Sequence, residues 1–174
     1  MRLRPWLFPC AAALFALSAA GALAQSEVKA LGRYGDWSGY SYSENGHPVC
    51  YAASAPVKSR GAVGKRGEVF FLVTHRPEFD DVGVVTMVAG YTFKPDSHAT
   101  VKIGGNRFRF FTREETAWAN GSDDVAVVRA MKRGNTMLVT GRNRAGALST
   151  DLFSLLGFTK TYQAISAACG VKDR

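Results

Sequence analysis

Short apolar runs alternate with turn-forming residues along most of the chain. From residue 36 onwards, runs rich in β-branched and aromatic residues are separated by glycine, proline, asparagine and aspartate. Short strands at such close spacing are typical of an antiparallel β-sandwich or a β-barrel. The pattern predicts seven strands, at residues 36–42, 49–54, 69–75, 82–89, 99–103, 107–112 and 136–140.

The clearest hairpin turns at the Gly-Gly-Asn segment 104–106. Glycine and asparagine adopt the positive φ angles that a tight turn requires. Because side chains alternate between the two faces of a strand, Phe108 and Phe110 are expected to share one face. Arg107 and Arg109 then project from the opposite face.

Two segments depart from the strand pattern and predict helices. Residues 122–134 begin with a serine that can cap a helix and two acids, and they end with two bases and a glycine. Four apolar positions of the tail recur at helical spacing, namely Phe158, Tyr162, Ile165 and Cys169. We therefore expect a single, mainly β domain of the antiparallel sandwich or barrel type, with one short internal helix and a C-terminal helix.

The first 24 residues have the composition of a cleavable export signal. Two arginines precede an apolar run without acids, and small residues at Ala22 and Ala24 suit a signal peptidase. The run is shorter than the roughly 20 residues of a membrane-spanning helix. We predict cleavage between Ala24 and Gln25, which leaves residues 25–174 as the domain without a transmembrane segment. An uncleaved anchor is the alternative.

Export changes which partners the positive charge of the protein favours. Removing the signal takes away two arginines and no acids, so the net charge falls from +8 to +6. Outside the cytoplasm, such a charge favours lipopolysaccharide, anionic lipid and cell-wall polymers over nucleic acid. Lys102, Arg107 and Arg109 predict a patch for an anionic partner. A solvated sheet face that only keeps the domain soluble is the alternative.

Cys50 and Cys169 are the two cysteines that remain after cleavage. An even number of cysteines in an oxidising compartment favours pairing, so we predict a disulfide between them. In the chain-entropy account, a crosslink over so long a loop stabilises a fold by on the order of 4 to 5 kcal/mol, an upper figure that strain and residual structure in the unfolded chain reduce. A redox-active or metal-binding pair is the alternative, but the chain lacks a C-x-x-C motif.

The sequence carries little that indicates catalysis. Its histidines, His47, His75 and His98, lack metal-ligand spacing, and neither G-x-S-x-G nor H-E-x-x-H occurs. We therefore predict no catalytic residue, cofactor or metal site. Residues that meet only in the folded chain leave open an envelope hydrolase acting on a cell-wall polymer or glycan.

Aromatic residues and a basic loop also allow two interpretations. The basic residues of segment 56–67 predict an exposed loop. Aromatic rings stack on sugars, but they also dominate the cores of small β domains, which is the stronger expectation here. The rings concerned are Trp37, Tyr51, Tyr91, Phe93, Phe111 and Trp118.

A series of short motifs in a fixed order resembles the invasion-associated locus B family. The motifs are Gly-Asp-Trp at 35–37, Cys-Tyr at 50–51, Lys-Arg-Gly at 65–67, Val-Thr-His-Arg-Pro at 73–77, Ala-Gly-Tyr at 89–91, Thr-Ala-Trp-Ala at 116–119, Ala-Met-Lys-Arg-Gly at 130–134, Ser-Thr-Asp at 149–151, Ser-Leu at 154–155, Gly-Phe at 157–158 and Cys169. Their order and spacing extend over nearly the whole exported chain. Each motif alone would be weak, so the resemblance depends on the series.

The resemblance implies an exported α-proteobacterial protein with a β-rich fold and without known catalytic residues or cofactors. It implies a periplasmic location, with outer-membrane association or secretion, and the family is named for a member linked to host-cell invasion. We therefore expect a non-enzymatic binding or structural module that engages an unidentified envelope or host-surface component. A carrier of a small ligand inside the barrel is a further alternative.

Overall fold

The computed structural model describes residues 27–172, which form an antiparallel β-sheet and two α-helices. The predicted signal 1–24 and the cleavage site between Ala24 and Gln25 lie outside the described residues. The strands are β1 (Lys29–Tyr34), β2 (Trp37–Glu44), β3 (His47–Ser54), β4 (Lys58–Gly61), β5 (Phe70–Arg76), β6 (Asp81–Val88), β7 (His98–Ile103), β8 (Asn106–Arg113), β9 (Thr116–Trp118), β10 (Thr136–Arg142) and β11 (Leu148–Ser154). The helices are α1 (Asp124–Arg133) and α2 (Phe158–Ala168), and a 3₁₀ turn spans Pro77–Phe79.

All seven predicted strands are present, with ends shifted by at most a few residues. Strands β1, β4, β9 and β11 were not predicted. The prediction of a loop over 56–67 is wrong at Lys58–Gly61, which forms the edge strand β4. All four residues of β4 are exposed and include no apolar position, so its sequence has no strand pattern. It is a strand because the backbone of β11 pairs with it.

The strands form one sheet with the order β1-β2-β3-β5-β6-β9-β8-β7-β10-β11-β4. This sheet curls over on itself, because residues from distant strands meet in its interior. The Phe71 ring of β5 lies 6.1 Å from that of Phe110 in β8 and 5.6 Å from that of Phe153 in β11. All three are fully buried. The mainly antiparallel β fold with an internal and a C-terminal helix is confirmed.

Helix α2 closes the region formed by β1, β2 and β3. Its inward residues Phe158, Tyr162 and Ile165 are buried, as the helical spacing predicts. Immediately after the helix, Cys169 forms a disulfide with Cys50 of β3, which confirms the predicted pairing. Neither helix within residues 27–172 has the length and apolar composition needed to cross a membrane.

Helix α1 begins later than the sequence predicts. Its first residue is Asp124, and neither Ser122 nor the N-cap residue Asp123 makes a side-chain capping hydrogen bond, so the predicted serine cap is wrong. The Asp124 carboxylate instead accepts a hydrogen bond from the Val85 backbone N–H of β6, at 2.9 Å. The start of the helix is therefore fixed by the sheet. Gly134 follows the last helical residue, as predicted.

Candidate binding surface

The three predicted basic residues lie together on the outer face of the β7–β8 hairpin. Lys102 is directly opposite Arg107, and Arg109 follows on the same face of β8, opposite Thr100. All three basic side chains are exposed. Phe110, which follows Arg109 on β8, is fully buried, as strand alternation requires.

The outer face continues from this hairpin across three more strands. Lys102 pairs with Leu138 of β10, which pairs with Leu152 of β11. Leu152 in turn pairs with Lys58 at the sheet edge. A row of five residues therefore runs across the strands, with Arg107 and Lys102 at one end, Lys58 at the other and two leucines between them.

A second row runs parallel to the first, two residues further along each strand. It begins at Arg109 and ends at Arg60, and three threonines lie between them. The threonines are Thr100, Thr140 and Thr150. From strand geometry, the two rows are about 7 Å apart and each spans roughly 19 Å along the sheet surface.

We call this surface the basic face and define it by Lys58, Arg60, Lys102, Arg107 and Arg109. Within the described strands β4, β7, β8, β10 and β11, no aspartate or glutamate occupies an outward position. The basic side chains are exposed, whereas the leucines and threonines between them are half-buried. The like charges therefore reinforce one another and produce a positive surface potential.

A groove of about 660 Å³ borders the basic face at the start of β7. Here Arg109 donates a hydrogen bond from Nη2 to Nδ1 of the exposed His98, at 3.0 Å. Because a guanidinium can only donate, the His98 ring nitrogen is the acceptor of this bond. Among the described residues, no serine or carboxylate hydrogen-bonds to the His98 side chain. The contact therefore joins the start of β7 to β8 at the border of the basic face.

His75 forms a buried serine contact that does not have catalytic geometry. Its Nε2 lies 3.1 Å from Ser166 Oγ, and its Nδ1 accepts the Gly83 backbone N–H at 3.0 Å. Since the tautomer assigned from these contacts carries the proton at Nε2, the imidazole donates to the serine and does not deprotonate it. His75 is fully buried, so the contact joins β5 to α2 within the core.

Among residues 27–172, the remaining histidine and the carboxylates form no group that could bind a metal ion. His47 Nδ1 lies 3.0 Å from Glu78 Oε2 in an exposed pair. Over residues 27–172, histidines, cysteines and acids do not gather in groups of three that could hold an ion. His47 therefore contributes a surface contact between β3 and the 3₁₀ turn.

Arg66, in the segment predicted as a basic loop, is a structural residue. Its guanidinium forms two hydrogen bonds to the Asp151 carboxylate, at 2.7 and 2.6 Å, and Nε donates to Ala89 O at 2.7 Å. It also lies over the Tyr91 ring, 5.1 Å from the centroid. The Tyr91 hydroxyl is 3.0 Å from Ser149 Oγ, and burial raises the pKa of this phenol. Sequence analysis did not identify this cluster.

The aromatic residues divide into core and surface groups. Trp37, Tyr91 and Phe93 are buried, in keeping with the expectation of core packing. Phe111 is 51% exposed and stacks on Trp118, with ring centroids 5.3 Å apart and planes at 16°. Tyr51, the sixth ring, is half-buried and stacks on Tyr40 on the outer face of β2 and β3.

A comparison with models of known families accounts for the motif series described in the sequence. The profile described as "Invasion associated locus B (IalB) protein" matches residues 37–166, more than half of the chain. The chain belongs to the invasion associated locus B family. This confirms the resemblance carried by the motif series. No curated protein sequence matches the chain.

A solved structure shares the fold. The crystal structure of invasion associated protein B from Bartonella henselae is similar, with a TM-score of 0.54 and 16% sequence identity. The likeness covers 79% of this chain and 96% of that chain. At this identity the comparison concerns the architecture alone.

Several motifs of the invasion associated locus B family meet in the folded chain. Arg66, Tyr91 and Asp151 come from three separate motifs and form the buried cluster around the ion pair. In a fourth motif, Trp37 donates a hydrogen bond from Nε1 to the Ser154 backbone oxygen at 2.9 Å, which links β2 to β11. These motif residues hold distant strands together. The basic face, by contrast, includes none of the motif residues quoted above.

Proposed function

We propose that this protein is a non-enzymatic binding module of the bacterial envelope, which engages an anionic envelope component through the basic face. Membership of the invasion associated locus B family supports an envelope role linked to host-cell invasion. The observation that carries the proposal is the charge arrangement: basic residues end both rows of the outer sheet face, and no acid is interspersed on these described strands.

The chemistry of the two rows suits a surface that presents phosphate or carboxylate groups. Arginine forms paired hydrogen bonds to such groups, while lysine supplies a compact charge. The threonine hydroxyls between Arg109 and Arg60 can donate further hydrogen bonds. Leu138 and Leu152 provide apolar contact in the middle of the other row. The ligand is therefore broad and anionic, as is a layer of lipopolysaccharide or anionic lipid.

The proposed location is the periplasm, with association to the outer membrane or release from the cell. The amino-terminal sequence supports export, because it has the features of a cleavable signal. The Cys50–Cys169 disulfide supports an oxidising compartment, since such bonds seldom persist in cytosol. Recovery of the chain beginning at Gln25 from a periplasmic fraction would test both points.

Binding to membranes tests the basic face directly. The purified oxidised protein is sedimented with vesicles that contain lipopolysaccharide, and with zwitterionic vesicles for comparison. A triple variant replaces three bases by glutamine: Lys102→Gln, Arg107→Gln and Arg109→Gln. It should bind the anionic vesicles roughly 100-fold more weakly, because each basic residue contributes about 1 kcal/mol to the binding free energy. The salt dependence of its binding should also decrease.

A second triple variant controls for net charge. Arg129→Gln, Arg133→Gln and Lys160→Gln remove the same charge from exposed positions on the two helices. This variant should retain nearly all of its binding. Equal weakening by both triple variants would show that overall charge, and not the basic face, determines the interaction.

A further inference from the structure

A small hollow on the outer surface has a composition that neither packing nor the basic face explains. It lies where β5, β6 and β9 are adjacent in the sheet and has a volume of about 200 Å³. The half-buried Trp118 forms one wall, and its ring also stacks on Phe111 of the neighbouring strand β8. The other lining residues are Thr74, Arg76, Asp81, Val84 and Thr86.

Strand register brings these side chains together. Thr86 of β6 is directly opposite Trp118 of β9, and Arg76 of β5 is opposite Asp81 at the start of β6. Thr74, two residues before Arg76, is opposite Val84. The hollow is therefore built on paired strands rather than on a loop, which holds its polar groups in fixed positions.

Apart from the Arg76–Glu44 ion pair, the polar groups of the hollow make no side-chain hydrogen bond or ion pair among residues 27–172. Within residues 27–172, no side-chain hydrogen bond engages Thr74, Asp81, Thr86 or Trp118. The Arg76 Nε atom is buried without a hydrogen-bond partner in the same range, and its nearest carboxylate oxygen belongs to Glu44, at 3.7 Å. An indole N–H, a carboxylate and two hydroxyls are thus available to a ligand, together with the terminal amino groups of Arg76, whose side chain is 43% exposed.

Two of the motifs quoted above supply Thr74, Arg76 and Trp118. The inward residues of those motifs have structural roles: His75 is fully buried, and so is Ala117. The three outward residues make no comparable contribution to the core, since each is only half-buried. Packing therefore accounts for one face of each motif and leaves the other face unexplained.

We infer that this hollow binds a neutral pyranose unit of a glycan. A flat aromatic ring offers an apolar surface on which the C–H face of a sugar can stack. A carboxylate accepts hydrogen bonds from sugar hydroxyls and a guanidinium donates to them, so Asp81 and Arg76 can engage neighbouring hydroxyls. The volume is below the roughly 300 to 1,000 Å³ of sites for drug-sized ligands, which suits a single ring.

The charges around the hollow favour a neutral sugar over an acidic one. The single guanidinium of Arg76 faces Asp81 in the register and lies 3.7 Å from a carboxylate oxygen of Glu44. Two carboxylates against one base leave no excess positive charge for a uronic acid or a sugar phosphate. The sugar site is thereby distinguished from the basic face, and its existence does not depend on anion binding there.

Nuclear magnetic resonance provides a test with an internal control. The oxidised, ¹⁵N-labelled protein is titrated with neutral methyl glucosides, galactosides and mannosides, and with methyl glucuronide as an acidic probe. At least one neutral sugar should shift the indole N–H signal of Trp118 saturably, in the millimolar range. The indole of Trp37 is fully buried and should not move. Trp118→Phe assigns the two signals.

Adjacent acids provide a matched pair of variants. Asp81→Asn removes the acceptor charge from the hollow and should weaken sugar binding about tenfold or more. Asp80→Asn changes the neighbouring exposed residue, which does not line the hollow, and should leave binding unchanged. Dispersed spectra of both variants would show that they fold. Thr86→Val removes a hydroxyl from another side of the hollow and should independently weaken sugar binding.

The outcomes separate this inference from the proposed anion binding. Absence of any Trp118 shift with the neutral sugars, equal effects of the two aspartate variants, or binding of methyl glucuronide alone would each overturn the sugar site. The triple variant of Lys102, Arg107 and Arg109 should keep the Trp118 shift while losing vesicle binding. Loss of the shift in that variant would show that the two surfaces are not separate, and would contradict the inference.

Discussion

Arginines serve opposite purposes in two regions of this molecule. Arg66 is nearly enclosed, with 14% of its side chain exposed, and its charge is matched by an Asp151 carboxylate that is 1% exposed. Arg107 and Arg109 are exposed on a face without acids on its described strands. In the first region, Arg66 donates three hydrogen bonds to the Asp151 carboxylate and to the Ala89 backbone inside the fold, whereas in the second region the charges stay exposed to the surroundings.

The difference shows why basic residues cannot be interpreted by type alone. Charges removed from water destabilise a protein unless they are paired and hydrogen-bonded, so Arg66 and Asp151 depend on each other. Exposed charges in solvent incur no such desolvation and are screened by salt. The buried pair should therefore determine stability with little effect on binding, and the basic face should determine binding with little effect on stability.

The largest expected effect comes from breaking the buried pair. Asp151→Ala leaves the Arg66 guanidinium without its partner and should lower the free energy of unfolding by about 3 to 5 kcal/mol. Urea unfolding followed by circular dichroism measures this change. Glu115→Ala removes an exposed acid as a control and should shift stability by less than about 0.5 kcal/mol. Similar stability of the two variants would refute a structural role for the pair.

The same cluster shows where prediction from sequence fails. Strand β11 places Ser149 and Asp151 at inward positions, so its sequence does not alternate between apolar and polar residues. Its stability depends on Arg66, which is 85 positions away along the chain. Hydrophobic periodicity detects strands whose inward residues are apolar, as in β5 and β6, but it does not detect an inward carboxylate with a distant partner.

Only those residues of the candidate site that are close together in the sequence could be predicted to share one surface. Lys102, Arg107 and Arg109 belong to one hairpin, so a turn motif and strand alternation suffice to place them together. Lys58 and Arg60 join them because β4 pairs with β11, a contact between segments about 90 residues apart. The Trp118 hollow likewise depends on the register of β5, β6 and β9. Pairing between strands that are distant in the chain places these residues together, and the local sequence pattern does not contain that information.

The disulfide is the second buried feature whose loss should be large. Replacing both Cys50 and Cys169 by alanine should lower the free energy of unfolding by about 2 to 4 kcal/mol, because the unfolded chain is no longer crosslinked. The melting temperature should fall by roughly 10 °C, which calorimetry measures. If the double variant melted at the temperature of the oxidised protein, the bond would not stabilise the fold.

A smaller effect concerns the buried Asp124, which, unlike Asp151, has no ion-pair partner among residues 27–172. Burial raises its pKa to about 6, the Val85 N–H opposes this, and Asp123 and Asp81 add to the increase. The folded state therefore binds the proton more tightly than the unfolded state, and this carboxyl's contribution to stability is lost as pH rises from about 4 to about 6. An unpaired buried acid thus makes stability pH-dependent.

Asp124→Asn tests this contrast with Asp151. The amide oxygen can still accept the Val85 N–H, but no charge is buried at neutral pH. The variant should be more stable than the natural protein at about pH 7.5, by on the order of 1 kcal/mol after allowance for solvent screening. The two should be nearly equal at about pH 4. Urea unfolding at both pH values measures the difference, and a constant difference would contradict the assigned pKa.

The smallest effect should come from the basic face itself. Lys102→Gln, Arg107→Gln and Arg109→Gln remove like charges that repel one another across the β7–β8 hairpin, while the inward residue Phe110 stays in place. The free energy of unfolding should rise or stay level, within about 0.5 kcal/mol. Calorimetry at low and high salt measures it. A clear loss of stability would mean that these bases support the fold as Arg66 does, and the contrast between the two regions would disappear.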